Sequence, residues 1–186
     1  RRDLPDQFIH AGISEQNMNG IAAGLASEGN TVFTSTFAPF QTMRCCEQIK
    51  VNLGYMRHKV NMVGLASGVV LGTLGYTHCC IEDISIMRSI PGITVISPAD
   101  CCETAKATIA SVNHNESIYI RLTGGAKNPS VYKKDYDFEI GKAVTLREGK
   151  DITIIATGTM VFESLIAADS LMEKGISSNV VNMHTI

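Results

Sequence analysis

The chain has 186 residues, of which 45% are hydrophobic and 18% are charged, and its formal net charge at pH 7 is −2. This composition is typical of a globular protein with a buried core, and it argues against intrinsic disorder. The charge balance excludes the basic footprint of nucleic-acid-binding proteins, and the apolar runs are too short to span a bilayer, so we expect neither nucleic acid nor membrane as a partner.

Short apolar runs alternate with helical patterns along the chain. Seven runs predict strands, at 7–10, 31–36, 60–65, 94–96, 117–122, 152–156 and 179–183. Five stretches predict helices, at 15–27, 39–53, 82–89, 101–112 and 161–174. The fourth helix has a capping box, with Asp100 at the N-cap and Glu103 three residues later.

Strands that are apolar throughout and alternate with helices predict an α/β fold with a parallel sheet covered by helices on both faces. Residues 1–124 form this first domain in our prediction. The polar, turn-rich stretch 125–150 is predicted to be a linker, with a short hairpin around 143–146. Residues 151–186 then begin a second α/β domain.

The cysteines and the chain ends indicate the setting of the protein. Six cysteines form three adjacent pairs without a CxxC zinc spacing, so we expect free thiols in a cytoplasmic protein and no metal site. The chain opens without an initiator Met and closes inside the apolar run VVNMHTI. We therefore expect a section of a longer polypeptide or a subunit of a larger enzyme.

In an open parallel sheet, ligands bind at the carboxyl ends of the strands. The segments predicted to meet at this edge contain one carboxylate, two aromatic rings, one imidazole and one guanidinium: Glu15, Phe37, Phe40, His78 and Arg121. No segment matches a phosphate-binding loop. Aromatic walls around a single acid favour a flat heteroaromatic ligand, with Glu15 as an acid/base group. The alternative interpretation of Glu15 is a solvated acid in the first turn of a helix.

Three stretches resemble a known family: GISEQNMNGIAAGLASEG, TSTFAPFQTMRCCEQI and GYTHCCIEDISIMRSIPGITVISPADCCE. Over about residues 8–122, their order and spacing are similar to the pyrimidine-binding domain of the transketolase family, whose enzymes use thiamine diphosphate. Residues 152–186 resemble the start of that family's C-terminal domain. The resemblance implies a transferase that moves a two-carbon ketol unit between sugar phosphates.

The resemblance also implies roles for the candidate residues. Glu15 matches the glutamate that hydrogen-bonds the aminopyrimidine nitrogen N1′ and activates the cofactor. Phe37 and Phe40 match the F-x-x-F pair that packs around the pyrimidine, and Met43 stands where a tyrosine often completes this cofactor-binding set. His78 matches the catalytic and substrate-binding histidine of G-x-[ST]-H. Arg121 matches an arginine that commonly binds substrate phosphate.

Two departures from the family pattern affect the expected substrate. Where the family usually has an upstream histidine that grips phosphate, this chain has Ala66. Where it usually has Gly-Glu-Asp, with an aspartate that contacts a sugar hydroxyl, this chain has Gly72-Thr73-Leu74. We therefore predict preserved cofactor activation with altered substrate recognition, in an enzyme for an unusual sugar such as one from a surface polysaccharide.

A third departure concerns the partner. The family's diphosphate-binding domain carries a GDG motif and a downstream Asn that hold Mg²⁺, and this sequence contains neither element. We expect that domain, with its Mg²⁺, to come from a partner such as a transketolase N-terminal section, in a homodimer or heterotetramer. Two alternatives stay open: a 1-deoxyxylulose-5-phosphate synthase-like or E1β-like subunit acting on a 2-oxo acid, and a non-catalytic assembly module.

Overall fold

Two sheets organise residues 3–124 and 128–186, the part of the chain that a computed structural model describes. The first sheet is parallel throughout, with the strand order β1–β2–β4–β3. Its strands are β1 (Val32–Phe37), β2 (Val60–Leu65), β3 (Ile93–Ile96) and β4 (Ser117–Arg121). The parallel sheet expected from apolar strands is confirmed.

Helices cover both faces of this sheet. They are α1 (Glu15–Ser27), α2 (Ala38–Gln41), α3 (Cys46–Gln48), α4 (Asp83–Arg88) and α5 (Cys101–Asn113). Successive residues of β4 point to opposite faces. Tyr119 belongs to the core cluster that includes α1, whereas Ile118 and Ile120 pack with Ala107 of α5.

The second sheet has the order β5–β7–β6. It consists of β5 (Val144–Arg147), β6 (Ile152–Ala156) and β7 (Ser178–Asn182), with α6 (Met160–Met172) between β6 and β7. Strands β6 and β7 are parallel, so a second α/β unit follows the first, as predicted. The hairpin predicted around 143–146 is wrong, because β5 pairs antiparallel with the distant β7.

The division into 1–124, 125–150 and 151–186 stays a prediction, and its first boundary adjoins residues 125–127, which lie outside the described residues. Apart from two segments, the predicted strands and helices of both units lie within two residues of their observed bounds.

The first of these segments is 7–10, for which the sequence predicts a strand. It follows a 3₁₀ turn at Pro5–Gln7 and forms no strand. Its side chains and those of the edge strand β1 line an open groove of about 850 Å³. Both Phe8 and Ile9 are exposed, so the apolar character of this segment does not place it in the core.

The second segment is 39–53, for which the sequence predicts one helix. It is divided among α2, α3 and a π-helical segment at Ile49–Tyr55. The break has a local cause, because the Arg44 N–H donates to the carbonyl of Pro39, five residues back rather than four. The widened turn therefore gives the Arg44 side chain a direction that a continuous α-helix would not give it.

A buried polar cluster joins the two sheets. Glu103 of α5 is fully buried and accepts hydrogen bonds from the Ala99 N–H (2.6 Å) and from the hydroxyls of Tyr132 (3.0 Å) and Tyr136 (2.7 Å). Asn182 of β7 donates to both carboxylate oxygens, at 2.9 and 3.1 Å. We call these five residues the Glu103 cluster. These bonds satisfy the buried Glu103 carboxylate and join α5 to the second sheet, while Asn182 Oδ1 is buried without a hydrogen-bond partner.

The backbone strengthens this joint. Beyond the end of β3, Ser97 N–H donates to the carbonyl of His184 at 2.8 Å, and Gly158 N–H donates to the carbonyl of Ser97 at 3.1 Å.

Within residues 3–124 and 128–186, no helix has the length and apolar character needed to cross a bilayer.

Candidate active site

Glu15 lies at the start of α1, where the chain leaves its extended N-terminal segment. Gly12 makes this turn with φ +74°, a left-handed conformation that favours glycine. The Glu15 side chain is 11% exposed, so it is not a freely solvated acid. Its position also adjoins the unpaired N–H groups of the helix N-terminus, which favour a negative charge.

The Glu15 carboxylate is bound to Arg44. The distance from Arg44 Nη1 to Glu15 Oε2 is 2.8 Å. The same guanidinium lies over the ring of Phe40, with its central carbon 3.8 Å from the ring centroid. Arg44 therefore satisfies the acid and covers the aromatic face at the same time.

These contacts set the charge of Glu15. Burial alone would raise the pKa of its carboxyl, but the hydrogen bonds from its own backbone N–H and from Arg44 outweigh burial and lower the pKa below 4.5. In the free chain at neutral pH, Glu15 is an ionised carboxylate held by an arginine.

Three rings meet beside this pair. Phe37 ends β1, and Phe40 lies in α2, which starts directly after that strand because Pro39 suits the first helical turn. The ring centroids of Phe40 and His78 are 5.4 Å apart, and those of Phe37 are 6.0 Å from Phe40 and 6.3 Å from His78. All three contacts are edge-to-face, so the structure brings these predicted residues together.

His78 is placed by a loop with a closed base. Gly68 and Cys80 exchange two backbone hydrogen bonds, at 2.7 and 2.8 Å, which tie the ends of the 68–80 loop together. The His78 N–H donates to the carbonyl of Gly75, and Nδ1 lies 2.9 Å from the hydroxyl of Thr77. This leaves Nε2 as the ring nitrogen for a ligand.

Met43 is a predicted cofactor-binding residue with an exposed side chain. It lies in the turn between α2 and α3, and its residue is 48% exposed. Contact of its thioether with a ligand stays a prediction.

Arg121 is part of a second, more buried arrangement. Its Nε donates to Asp83 Oδ2 at 2.8 Å, and Tyr119 Oη donates to the same oxygen at 2.9 Å. The Arg121 side chain is 15% exposed and that of Asp83 is fully buried. A Cβ on Gly68 would lie 3.5 Å from Arg121 Nη2, so the outer edge of the guanidinium faces the base of the His78 loop.

Gly64 of β2 makes room for this arrangement. A Cβ at this position would overlap the Tyr119 ring and its hydroxyl oxygen. Burial, reinforced by the adjacent Asp83 carboxylate, raises the pKa of Tyr119 well above its ordinary range, so its hydroxyl stays a donor.

Sequence reasoning missed both Arg44 and Asp83. Arg44 lies beyond the end of α2, after a widened turn, so the spacing of a regular helix does not predict its contact with Phe40. Asp83 carried only a weak signal, as an acid at the first position of α4 after the His78 loop.

In residues 3–124 and 128–186, no group of three or more metal-ligating side chains could hold a metal ion.

Two family models match successive parts of the chain. Residues 2–127 match the model of the transketolase pyrimidine binding domain. Residues 141–186 match the model of the transketolase C-terminal domain. The first match alone spans well over half of the chain.

Curated relatives agree with these matches. The chain is 41% identical over 186 residues to a subunit of the apulose-4-phosphate transketolase of Phocaeicola vulgatus, and it covers 59% of that protein. It is also 41% identical to a subunit of the 6-deoxy-6-sulfo-D-fructose transketolase of a Clostridium species, covering 57% of it. All of the chain is aligned in both cases, and it spans less than two thirds of either relative.

Solved structures give the same result. A split-gene transketolase, described as an inactive beta4 tetramer, superposes with a TM-score of 0.90 at 36% identity, over 100% of this chain and 60% of that one. The transketolase of Campylobacter jejuni superposes with a TM-score of 0.82 at 28% identity, over 96% of this chain and 28% of that one. The fold, the two domain models and these relatives show that the chain belongs to the transketolase family.

Proposed function

We propose that this chain supplies the pyrimidine-binding half of a cytoplasmic, thiamine-diphosphate-dependent transketolase that transfers a two-carbon ketol unit. Membership of the family implies dependence on this cofactor. The cofactor half-site, as we define it, consists of Glu15, Phe37, Phe40 and Met43. The observation that carries the proposal is the partly buried Glu15 carboxylate beside the ring of Phe40.

The residues of the half-site fit a planar nitrogen ring. Arg44 is a stand-in for such a group, because its flat guanidinium is hydrogen-bonded to Glu15 and stacked on Phe40 at the same time. An aminopyrimidine offers the same combination of an aromatic plane and a nitrogen at its edge. The contacting rings of Phe37, Phe40 and His78 form an aromatic wall beside this position.

When bound, thiamine diphosphate supplies a nucleophilic carbon for attack on a ketose carbonyl. The part of this chain in that chemistry is to hold a proton. Glu15 would hold the edge of the pyrimidine and exchange a proton at its carboxylate, which an amide side chain could not do. In the free chain Arg44 Nη1 occupies Glu15 Oε2, so a bound ring competes with the guanidinium for this oxygen.

His78 and Arg121 act on the substrate side. Thr77 engages His78 Nδ1, so Nε2 can contact a substrate oxygen near the reacting carbon. Asp83 engages Arg121 Nε, which leaves the Nη groups to bind an anionic end group through paired hydrogen bonds.

We propose an unusual ketose with an anionic end group as the substrate class. Ala66 and Gly72-Thr73-Leu74 replace family side chains that contact sugar phosphates. Ala66 nevertheless has φ +53°, a left-handed conformation that costs an alanine about 1 kcal/mol. Such strain concentrates at functional sites. The names of two relatives, for apulose-4-phosphate and 6-deoxy-6-sulfo-D-fructose, likewise join an unusual sugar to an anionic group.

The proposed partner is a separate subunit or N-terminal section that carries the diphosphate-binding domain and its Mg²⁺, in a homodimer or heterotetramer. Three relatives support it by their descriptions, two as subunits and one, from Methanocaldococcus jannaschii, as a putative transketolase C-terminal section. The description of a beta4 tetramer as inactive supports the need for a partner as well.

The test is to reconstitute the chain with its partner and to compare Glu15→Gln with the native protein. We expect kcat to fall at least about 100-fold, the usual contribution of a positioned acid or base. Glu47→Gln, at an exposed position of α3, is the matched control and should keep full activity. Full activity of the Glu15 variant would overturn the proposal.

The choice of donor separates the remaining alternatives. Turnover of a ketose phosphate supports ketol transfer, whereas turnover of a 2-oxo acid alone indicates the decarboxylating chemistry. Absence of turnover with both donors would favour the non-catalytic assembly module.

A further inference from the structure

The Arg44 side chain lies against two residues of the half-site, Glu15 and Phe40. Its guanidinium is flat and carries nitrogen at its edge, and it contacts the Glu15 carboxylate at 2.8 Å and the centroid of the Phe40 ring at 3.8 Å. Its backbone is held independently, because Gln16 Nε2 donates to the Arg44 carbonyl at 3.2 Å.

We propose that Arg44 is an internal occupant of the cofactor half-site, so that the pyrimidine ring binds by displacing the Arg44 guanidinium from Glu15 and Phe40. This inference rests on the proposed function. It adds a residue that sets cofactor affinity and that the family pattern does not assign.

The geometry supports an exchangeable contact rather than a permanent one. The Arg44 side chain is 42% exposed, and its long, unbranched stem can swing the charged head into water without moving the backbone. An ion pair whose arginine is exposed, and a cation–π contact of the same exposed guanidinium, each contribute little. Together they correspond to about a tenfold penalty on a competing ligand.

The alternative is that Arg44 is a fixed support that aims Glu15 at the ligand. The two roles make opposite predictions. Removing an occupant strengthens ligand binding, whereas removing a support weakens it. The geometry favours an occupant, because Arg44 Nη1 already takes Glu15 Oε2 and its central carbon covers the face of the Phe40 ring.

The experiment measures binding rather than turnover. The probe is 4-amino-5-hydroxymethyl-2-methylpyrimidine, titrated by NMR into the full chain and into Arg44→Ala. We expect the Kd of the Arg44→Ala chain to be about tenfold lower than that of the native chain. Arg88→Ala, an exposed arginine in the last turn of α4, is the control and should leave Kd unchanged. Equal or weaker binding by Arg44→Ala would overturn the inference.

Two further readouts make the test independent of the stability of one variant. Arg44→Lys keeps the charge but loses the flat stacking group, so its Kd should lie between those of the native and Ala chains. In the native chain, the Nε–H signal of Arg44 should shift as the probe binds. An unchanged signal at saturation shows that Arg44 is not displaced and rejects the inference.

The same titration separates this inference from the proposed function. If the native chain binds the probe and Glu15→Gln binds it more weakly, the half-site is correct whatever Arg44 does. If neither the native chain nor Arg44→Ala binds the probe at millimolar concentration, both the pyrimidine site and its occupant are rejected.

Discussion

Two arginine–carboxylate pairs lie at the carboxyl edge of the first sheet, and they look alike by distance alone. Both Arg44–Glu15 and Arg121–Asp83 have a nitrogen-to-oxygen separation of 2.8 Å. Their surroundings differ. The first pair is 42% and 11% exposed at its arginine and acid, and the second is 15% and 0% exposed.

The difference shows which pair can come apart. Asp83 Oδ2 also accepts the Tyr119 hydroxyl, inside a core that Gly64 shapes around the ring. Separating Arg121 from Asp83 would leave buried polar groups without partners, which is costly. Arg44 can replace its contacts with water. Burial and the number of partners, and not the length of the bond, distinguish a structural pair from an exchangeable one.

The largest expected effect is that of Asp83→Ala. It strands the Arg121 guanidinium and the Tyr119 hydroxyl in the core, so we expect the free energy of unfolding to fall by about 3–5 kcal/mol. Urea denaturation measures this loss. Asp135→Ala, which removes the exposed partner of Lys106, is the control and should cost less than about 0.5 kcal/mol. Similar losses for the two variants would remove the distinction between buried and exposed pairs.

Gly64→Ala should have an intermediate effect. The new methyl group overlaps Tyr119, and repacking should cost about 1–3 kcal/mol, as overpacking of a core usually does. Gly72→Ala is the matched control, because its Cβ would meet no atom within 4 Å. The same denaturation assay compares them. A neutral Gly64→Ala would mean that Tyr119 moves freely, contrary to a fixed Asp83 pair.

The smallest expected effect is that of Glu15→Gln on stability. At pH 7 the substitution should lower the free energy of unfolding by at most about 0.5 kcal/mol, since it breaks a partly exposed ion pair. The pKa of Glu15 is lower in the folded chain than the ordinary 4.5, so the stabilisation is present above pH 4.5 and is lost as the pH falls through the folded-state pKa.

Unfolding measured at pH 7 and at pH 4 checks this sign. The native chain and the Glu15→Gln variant should differ less at the lower pH. A difference that widens as the pH falls would contradict the ion pair with Arg44.

Much of this arrangement was predictable from the sequence, because it depends on local pattern. The helical spacing of α1 and its stop at Gly29 gave the bounds Glu15–Ser27, and the apolar run 60–65 gave β2. The order of the strands at a parallel edge predicted that Phe37, Phe40 and His78 would lie near one another, and their rings are in contact.

The rest depends on contacts between distant parts of the chain. Strand β5 pairs with the distant β7, and residues 7–10 form no strand despite their apolar pattern. The position of Arg44 depends on the widened turn after α2, which hydrophobic spacing does not encode. The pairing of Asp83 with Arg121 joins residues 38 positions apart, and no local rule predicts it.

The Glu103 cluster bears on how this fold can be recombined in evolution. A polypeptide that stopped after β4 would keep the buried Glu103 carboxylate of α5. It would lose the hydroxyls of Tyr132 and Tyr136 and the amide of Asn182, which donate hydrogen bonds to that carboxylate. The first sheet is therefore not a portable module. Gene fusions or fissions that keep the cluster must carry the following strands along, whereas a cut on the N-terminal side of α1 leaves it intact.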